Sequence, residues 1–166
     1  MELPDDLYRV ESSCSVSRFD EEQGILAGDP TWHPNAYDDR DAMKAAVVKH
    51  LDWHNREPTP FISTTNSQTR AMKEAKRKRD AGETDVQIII VDPHIFVEGM
   101  GGQVARVDTV VDKHDLPGNL RMFVTDTEFL AFGEIPSFAV THILELEDFE
   151  LYCRYKKSYP IYNCGF

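Results

Sequence analysis

The stretch PFISTTNSQTRAMKEA, residues 60–75, decides the fold class because a strand pattern changes into a helix pattern within it. A short apolar run ends in three hydroxyl residues at positions 63–65, and small or apolar residues then recur at helical spacing. The pattern predicts a strand over TPFIST, followed by a helix that Asn66 or Ser67 caps and that Gly82 closes. The hydroxyl cluster has two explanations: it caps the helix, or it forms the wall of a ligand site.

The rest of the chain predicts one more helix and several strands. Apolar residues recur every four positions in residues 38–54, which is typical of an amphipathic helix, and a continuous apolar run at 85–93 predicts a strand buried on both faces. The other predicted strands are LYRV at 7–10, ARVDTVVD at 105–112, LRMFV at 120–124, EFLAF at 128–132 and THILEL at 141–146. We expect a long loop that carries short elements at 11–39, a loop at 96–102, and a last strand or packed strap at 152–166.

The order of these elements predicts an α+β fold with its helices in the N-terminal half. The length of 166 residues fits one domain over 1–166. No G-x-G-x-x-G pattern and no P-loop pattern occurs in the sequence, so nucleotide binding by those two devices is not supported. The regular alternation of strands and helices that marks a doubly wound sheet is also missing.

Charge and composition narrow the classes of partner. The net charge is −11, whereas duplex binding normally needs a basic face, so we do not expect nucleic acid as a partner. The basic run at 73–79 is expected to be a solvated helix face, and a localisation signal or a patch for an acidic partner is the alternative. The three cysteines lack paired spacing, so neither a disulfide frame nor a metal site is predicted. No apolar run is long enough to cross a membrane.

Two side-chain types stand out for their chemistry. Arg9 lies in the middle of a short predicted strand and therefore needs an anion, either a carboxylate in a structural ion pair or a ligand phosphate. Asp126 and Glu128 open a later strand, where a carboxylate could accept hydrogen bonds from sugar hydroxyls and stabilise positive charge. The alternative for Glu128 is an exposed strand-edge carboxylate, and Glu134 is the rival acid.

The order and the residues of these motifs resemble those of the ADP-ribosyltransferase fold in its arginine–serine–glutamate class. The cholera-toxin and heat-labile-enterotoxin catalytic chains are relatives in that class. The motifs that carry the resemblance are LYRV, EEQGILAGDP, PFISTTNSQTRA, DVQIIIVDPHIFV and DTEFLAFGEIPSFAV. The fold implied is a split β-sandwich. HLDWHNREPTPFIS also resembles a domain of unknown function common in filamentous fungi.

The resemblance implies NAD as the substrate and assigns the catalytic roles. Arg9 would hold the NAD phosphates or the ribose on the nicotinamide side, and Ser63 would brace the nicotinamide pocket and orient the glutamate. Glu128 would accept a hydrogen bond from the ribose and stabilise the oxocarbenium-like state as nicotinamide leaves. Asp126 stands where arginine-modifying members carry Glu and others carry Gln, so transfer to arginine is the step that this departure affects.

The remaining residues that the resemblance assigns are contacts to the cofactor. Thr64 and Thr65 would complete the strand edge, and Tyr8 would lie beside Arg9. His50 is either a satisfied core histidine or a contact to the nucleotide, and Arg56 would be a second cation for the pyrophosphate. No metal is implied.

The predicted function is therefore a mono-ADP-ribosyltransferase that modifies an unidentified protein acceptor, in the manner of a toxin or effector. An NAD glycohydrolase and a catalytically silent binding module of the same fold are the alternatives, and an RNA 2′-phosphotransferase is a remote fourth. The acidic N-terminus lacks a signal pattern, so we expect a cytoplasmic protein, with secretion as a mature effector left open because a cleaved leader leaves no trace.

Overall fold

The computed structural model describes residues 2–31, 40–52, 55 and 57–158, and these form nine strands and five α-helices. The strands are β1 (Leu7–Glu11), β2 (Phe19–Asp20), β3 (Gly24–Leu26), β4 (Phe61–Thr65), β5 (Gln87–Val91), β6 (Val104–Arg106), β7 (Glu128–Phe132), β8 (Glu134–Ile135) and β9 (Val140–Leu144). The helices are α1 (Arg40–Leu51), α2 (Gln68–Asp80), α3 (Pro93–Met100), α4 (Val107–Val110) and α5 (Leu146–Ser158). Short 3-10 helices cover Lys113–Asp115, Arg121–Phe123 and Ser137–Ala139.

The strands form two antiparallel sheets. The large sheet has the order β6-β7-β4-β1-β5-β9, and the small sheet has the order β2-β3-β8. Ile25 of β3 and Ile135 of β8 pack with Leu7, Ile62 and Ile89 of the large sheet in one apolar cluster, so the two sheets are layered. This arrangement confirms the predicted α+β fold class. The helices are not confined to the N-terminal half as expected, because α3, α4 and α5 lie in the second half of the chain.

The middle of the large sheet is split. Strand β1 pairs with β5 at five successive positions, from Leu7↔Val91 to Glu11↔Gln87. Its pairing with β4 consists of Tyr8↔Thr65 alone, whereas β4 pairs with β7 along its whole length. Beyond Tyr8 the backbones of β1 and β4 therefore diverge, and the gap between them is open to side chains.

Helices cover the face of the large sheet that points away from the small sheet. Helix α1 packs Val47 and Leu51 against Phe61 of β4 and Leu130 of β7 in a second cluster. Helices α2 and α5 cover β1 and β5 in a third cluster, whose members are Tyr8, Ala71, Ala75, Ile88, Ile90, Leu146, Phe149 and Cys153. The two clusters leave the gap between β1 and β4 uncovered on this face.

The predictions around residues 60–75 are confirmed. Strand β4 ends at Thr65, Ser67 is the N-cap of α2, and Gly82 follows the helix with a φ of +81°. The continuous run at 85–93 contains β5, whose residues 88–91 are fully buried. The helix expected over 38–54 is α1 in its described part, and residues 32–39, 53, 54 and 56 lie outside the described residues.

Two predicted elements are wrong, because local signals for the start of a helix precede both. Residues 96–100 of the expected loop at 96–102 belong to α3, in which Asp92 caps His94 N at 2.9 Å and Pro93 occupies the first turn. Residues 152–158 of the expected strand or strap are helical and belong to α5, whose first turn carries Glu147 and Asp148.

Two shorter strand predictions also fail. LRMFV contains a 3-10 helix over Arg121–Phe123. ARVDTVVD contributes only Ala105 and Arg106 to strand β6 before α4 begins at Val107. Both stretches are too short for their periodicity to separate a strand from a helical turn.

Candidate functional site

A cleft of about 730 Å³ opens on the helical face of the large sheet, over the gap between β1 and β4. We call it the central cleft. Arg9 comes from β1, Ser63 from β4 and Glu128 from β7, and all three residues line it. Thr65 lies opposite Glu128 in the sheet, which places Ser63 and Glu128 on the same face two residues apart. The three residues that the sequence singled out therefore meet in one cavity.

Arg9 is held in the gap without an anionic partner among the described residues. Its Nη1 donates to the Ser63 carbonyl at 3.1 Å and its Nη2 donates to the Ser17 carbonyl at 2.7 Å. The Nε atom is buried and has no hydrogen-bond partner. Burial lowers the pKa of the guanidinium, and Glu11 opposes that shift. A buried cation that contacts only carbonyl oxygens is costly, so this site is suited to an anion.

His50 holds the side chain of Ser63. Its Nδ1 lies 2.6 Å from Thr59 Oγ1 and its Nε2 lies 2.7 Å from Ser63 Oγ. Burial, with a smaller contribution from the Arg9 charge, lowers the pKa of His50 to about 4, so the ring is neutral at physiological pH. A neutral imidazole donates from one nitrogen and accepts at the other, which fixes the direction of both hydrogen bonds together. His50 is thus a satisfied histidine that also lines the cleft.

The two threonines of the hydroxyl cluster stabilise the strand edge. Thr64 Oγ1 donates to the Phe129 carbonyl at 3.2 Å, and Thr65 Oγ1 donates to the Thr127 carbonyl at 2.9 Å. Thr65 Oγ1 also accepts from Ser67 N at 3.2 Å. Ser63 of the cluster therefore lines the central cleft, while Thr65 supports the start of α2. The assignment of a ligand to this wall stays a prediction.

Glu128 forms an ion pair that the sequence did not indicate. Its Oε1 lies 2.5 Å from Nε of Arg70, which is on the first turn of α2. Burial raises the pKa of Glu128 to about 7, although Arg70 acts to lower it, and Glu74 adds to the rise. The carboxyl group therefore titrates close to neutral pH, as expected for a group that exchanges protons or carries a variable charge in a cleft. A Glu128–Ser63 hydrogen bond is not found among the described residues.

Asp126 and Tyr8 are placed differently from the other predicted site residues that the structure describes. Asp126 does not line the central cleft and borders a separate polar depression with Asp108 and Asp112. Tyr8 borders the cleft, but its ring is buried against Phe149 and its hydroxyl donates to Asp6 at 3.2 Å. Arg56 lies outside the described residues.

Helix α2 and the segment before β7 complete the walls of the cleft. Lys73, Glu74 and Arg77 line one side, and Met122, which is 69% exposed, lies with Phe123 on the other. The basic run at 73–79 is largely paired with carboxylates, so it is less of a bare charged face than expected. These pairs are Lys76–Glu150, Arg77–Glu74, Lys78–Glu83 and Arg79–Glu147.

Within the described ranges, no cluster of three or more His, Cys, Asp or Glu side chains is arranged to hold a metal ion. Cys14 is exposed and Cys153 is buried. None of the helices in the described part of the chain is long and apolar enough to cross a bilayer.

Residues 2–149 match the model of a family described as a domain of unknown function, DUF7587. The chain belongs to this family. No curated protein sequence matches it at a significant level. The DUF7587 match covers every residue that brings a functional group into the central cleft, because the family model includes β1, β4, α2 and β7.

Solved structures extend the description of this DUF7587 chain to its fold. It is similar to EcPltA, a pertussis-like ADP-ribosyltransferase toxin, with a TM-score of 0.50 and 14% sequence identity. The similarity covers 82% of this chain and 73% of that chain. At this identity the likeness shows the ADP-ribosyltransferase-like fold. The arginine–serine–glutamate class and a fungal origin stay predictions.

Proposed function

We propose that this chain binds NAD in the central cleft, cleaves its nicotinamide glycosidic bond and transfers ADP-ribose to a protein acceptor. The observation that carries the proposal is that Arg9, Ser63 and Glu128 come from three strands and line one cleft. The fold shared with an ADP-ribosyltransferase toxin supports it.

Arg9 supplies the charge that an anionic nucleotide needs. The guanidinium lies in the split of the sheet, contacts two carbonyl oxygens and has no carboxylate partner among the described residues. A pyrophosphate or phosphate oxygen at this position would satisfy the cation by a charge-assisted hydrogen bond. The affinity that this provides does not depend on the overall charge of −11, since nearby charges dominate in a partly buried site.

Ser63 and Glu128 act on the other end of the substrate. Ser63, held by His50, presents a fixed hydroxyl to the nicotinamide end of the cleft. Loss of nicotinamide leaves positive charge on the ribose, and a fixed carboxylate stabilises that state more than the ground state. Glu128 has one oxygen on Arg70, which leaves the other for the ribose hydroxyl.

Hydrolysis of NAD is the second candidate, and the position of Asp126 favours it. Asp126 borders a separate depression instead of the central cleft, so it does not stand beside Glu128 to orient an acceptor side chain. Water would then attack the ribose carbon, and ADP-ribose, nicotinamide and a proton would be the products.

The proposal is tested by incubating the purified protein with NAD and measuring the release of nicotinamide. We expect release by the wild type and a loss of about 10²-fold or more in Glu128→Ala, because a preorganised charge is removed from the transition state. Glu134→Ala is the matched control, since Glu134 is an exposed carboxylate just after β7 and lies outside the cleft lining.

The products separate the two candidate reactions. ADP-ribose attached to protein in an added mixture of acceptors supports the transferase, and free ADP-ribose alone supports the glycohydrolase. No release of nicotinamide together with no binding of NAD would contradict both and would leave a silent binding module.

A further inference from the structure

We infer that Arg70 is a positioning residue that fixes one carboxylate oxygen of Glu128 and favours the ionised form of this buried side chain, with the other oxygen left for the substrate. The reaction that this serves is the proposed one, so the inference rests on the proposed function in that respect. The state of the Glu128 side chain itself can be measured without any reaction.

The geometry of the pair carries the inference. Arg70 Nε lies 2.5 Å from Glu128 Oε1, and the Glu128 side chain is only 15% exposed. Arg70 is 36% exposed, so the cation lies at the edge of the cleft while the carboxylate lies inside it. No other cation is recorded within ion-pair distance of Glu128 among the described residues. Arg70 is therefore the group that offsets the cost of burying this charge.

The surroundings of Glu128 explain why such a cation is needed. Glu74, which lies one turn after Arg70 on α2, adds negative charge near Glu128, and His50 on α1 is neutral. Arg9 on β1 directs both of its Nη groups at the carbonyls of Ser63 and Ser17. Burial and Glu74 both favour the protonated acid, and the charge of Arg70 opposes them.

Arg70 itself is positioned by the stretch that decides the fold. Ser67 Oγ accepts from the backbone N of Arg70 at 3.3 Å in the N-cap of α2, and Thr65 Oγ1 accepts from Ser67 N. Thr65 is also the register partner of Glu128. The end of β4, the cap of α2 and the start of β7 thus hold the two members of the ion pair at a fixed separation.

The test compares the titration of Glu128 in the wild type, Arg70→Gln, Arg70→Lys and Lys73→Gln. Glutamate labelled with ¹³C at the side-chain carboxyl is followed by NMR, and Glu128→Gln assigns the signal. We expect Arg70→Gln to raise the Glu128 titration midpoint by about one pH unit or more, and Arg70→Lys to restore most of the wild-type value. Lys73→Gln removes another cation that lines the cleft on the same helix and should leave the midpoint in place.

Nicotinamide release against pH is the second measurement on the same four proteins. The acidic limb for Arg70→Gln should move to higher pH by the same amount as the NMR midpoint, with activity recovering above that limb. An unchanged midpoint, an equal shift in Lys73→Gln, or a loss of activity that is uniform across pH would overturn the inference. If the wild type released no nicotinamide while the midpoint still shifted, the proposed function would fail and the control of Glu128 by Arg70 would stand.

Discussion

At the scale of single residues, the central cleft concentrates groups whose burial works against folding. Burial lowers the pKa of Arg9, lowers that of His50 to about 4 and raises that of Glu128 to about 7. Each shift means that the charged form is less favourable in the folded state than in the unfolded chain. Such groups are characteristic of functional sites, because a core optimised for stability alone would exclude them.

The first prediction concerns the pH dependence that Glu128 imposes on stability. Its pKa of about 7 in the folded protein lies above its ordinary value of 4.5, so the folded state holds the proton more tightly. The stability that protonated Glu128 gives the folded state is fully present below about pH 4.5 and is lost as pH rises through 7. The loss amounts to about 3 kcal/mol in the free energy of unfolding, from 1.4 kcal/mol per pKa unit.

Glu128→Gln removes this dependence. Between pH 4.5 and about pH 8, we expect the free energy of unfolding of the variant to rise by about 3 kcal/mol relative to that of the wild type. Urea denaturation at each pH measures this difference. Glu134→Gln, at an exposed carboxylate, is the control and should follow the wild type. Parallel curves for Glu128→Gln and the wild type would show that Glu128 titrates normally.

At the scale of elements, the cleft exists because β1 and β4 pair at a single position. Strand β4 is held by β7, and β1 is held by β5, so neither strand needs the other for most of its hydrogen bonds. The guanidinium of Arg9 bridges the gap to Ser63. Helix α2 begins only three residues after the end of β4, so the first turn of that helix lies at the edge of the same gap.

The prediction at this scale concerns α5, whose residues 152–158 were expected to form part of a strand or strap. Phe149 is fully buried between the helix and the sheet, and its ring packs edge-to-face on Tyr8 with 5.5 Å between the centroids. Phe149→Ala should cost about 3–5 kcal/mol in the free energy of unfolding because it removes a large core side chain.

The matched control is Leu151→Ala on the same helix. Leu151 is 47% exposed, so its truncation should change the free energy of unfolding by only about 0.5 kcal/mol. Denaturant unfolding measures both variants. Equal small effects for the two would mean that α5 does not pack on the sheet in solution.

At the scale of the whole molecule, a strongly acidic protein carries a cleft with cations in its walls. The net charge is −11, but Arg9, Arg70, Lys73 and Arg77 all line the central cleft. Association with the proposed anionic nucleotide would therefore be governed by the few cations in the cleft, against the repulsion from the more distant negative charges. Salt screens the distant field more strongly than the partly buried contacts.

The whole-molecule prediction is that NAD stabilises the fold and that Arg9 is required for this. At 100 times its dissociation constant, NAD should add about 2.7 kcal/mol to the free energy of unfolding, which appears as a rise in the melting temperature. Arg9→Met should abolish the rise while changing the melting temperature of the free protein little, because the buried cation and its two carbonyl contacts largely offset each other.

Lys76→Met is the control for this measurement, since Lys76 pairs with Glu150 and does not line the cleft. A full NAD-dependent rise in Arg9→Met would remove Arg9 from the binding site. A large fall in the melting temperature of Arg9→Met without NAD would show instead that Arg9 stabilises the fold itself.

The sequence by itself determined the stretch around residues 60–75 and the buried strand β5, and it singled out Arg9, the hydroxyl cluster at 63–65 and the carboxylates Asp126 and Glu128. These follow from local patterns: periodicity, capping residues, and polar groups placed in or beside apolar strands. Helices α3 and α5 were also encoded locally, by Asp92-Pro93 and by Leu146, Phe149 and Cys153 at helical spacing, so their omission reflects signals that were passed over.

Only the tertiary structure decided how these residues act. The pairing of Arg70 with Glu128 joins positions on α2 and β7, and the hydrogen bond of His50 to Ser63 joins α1 to β4. The register of β4 against β7 and the divergence of β1 from β4 set both contacts. The raised pKa of Glu128 likewise comes from burial, which depends on the packing of every surrounding element and is not written in any local pattern.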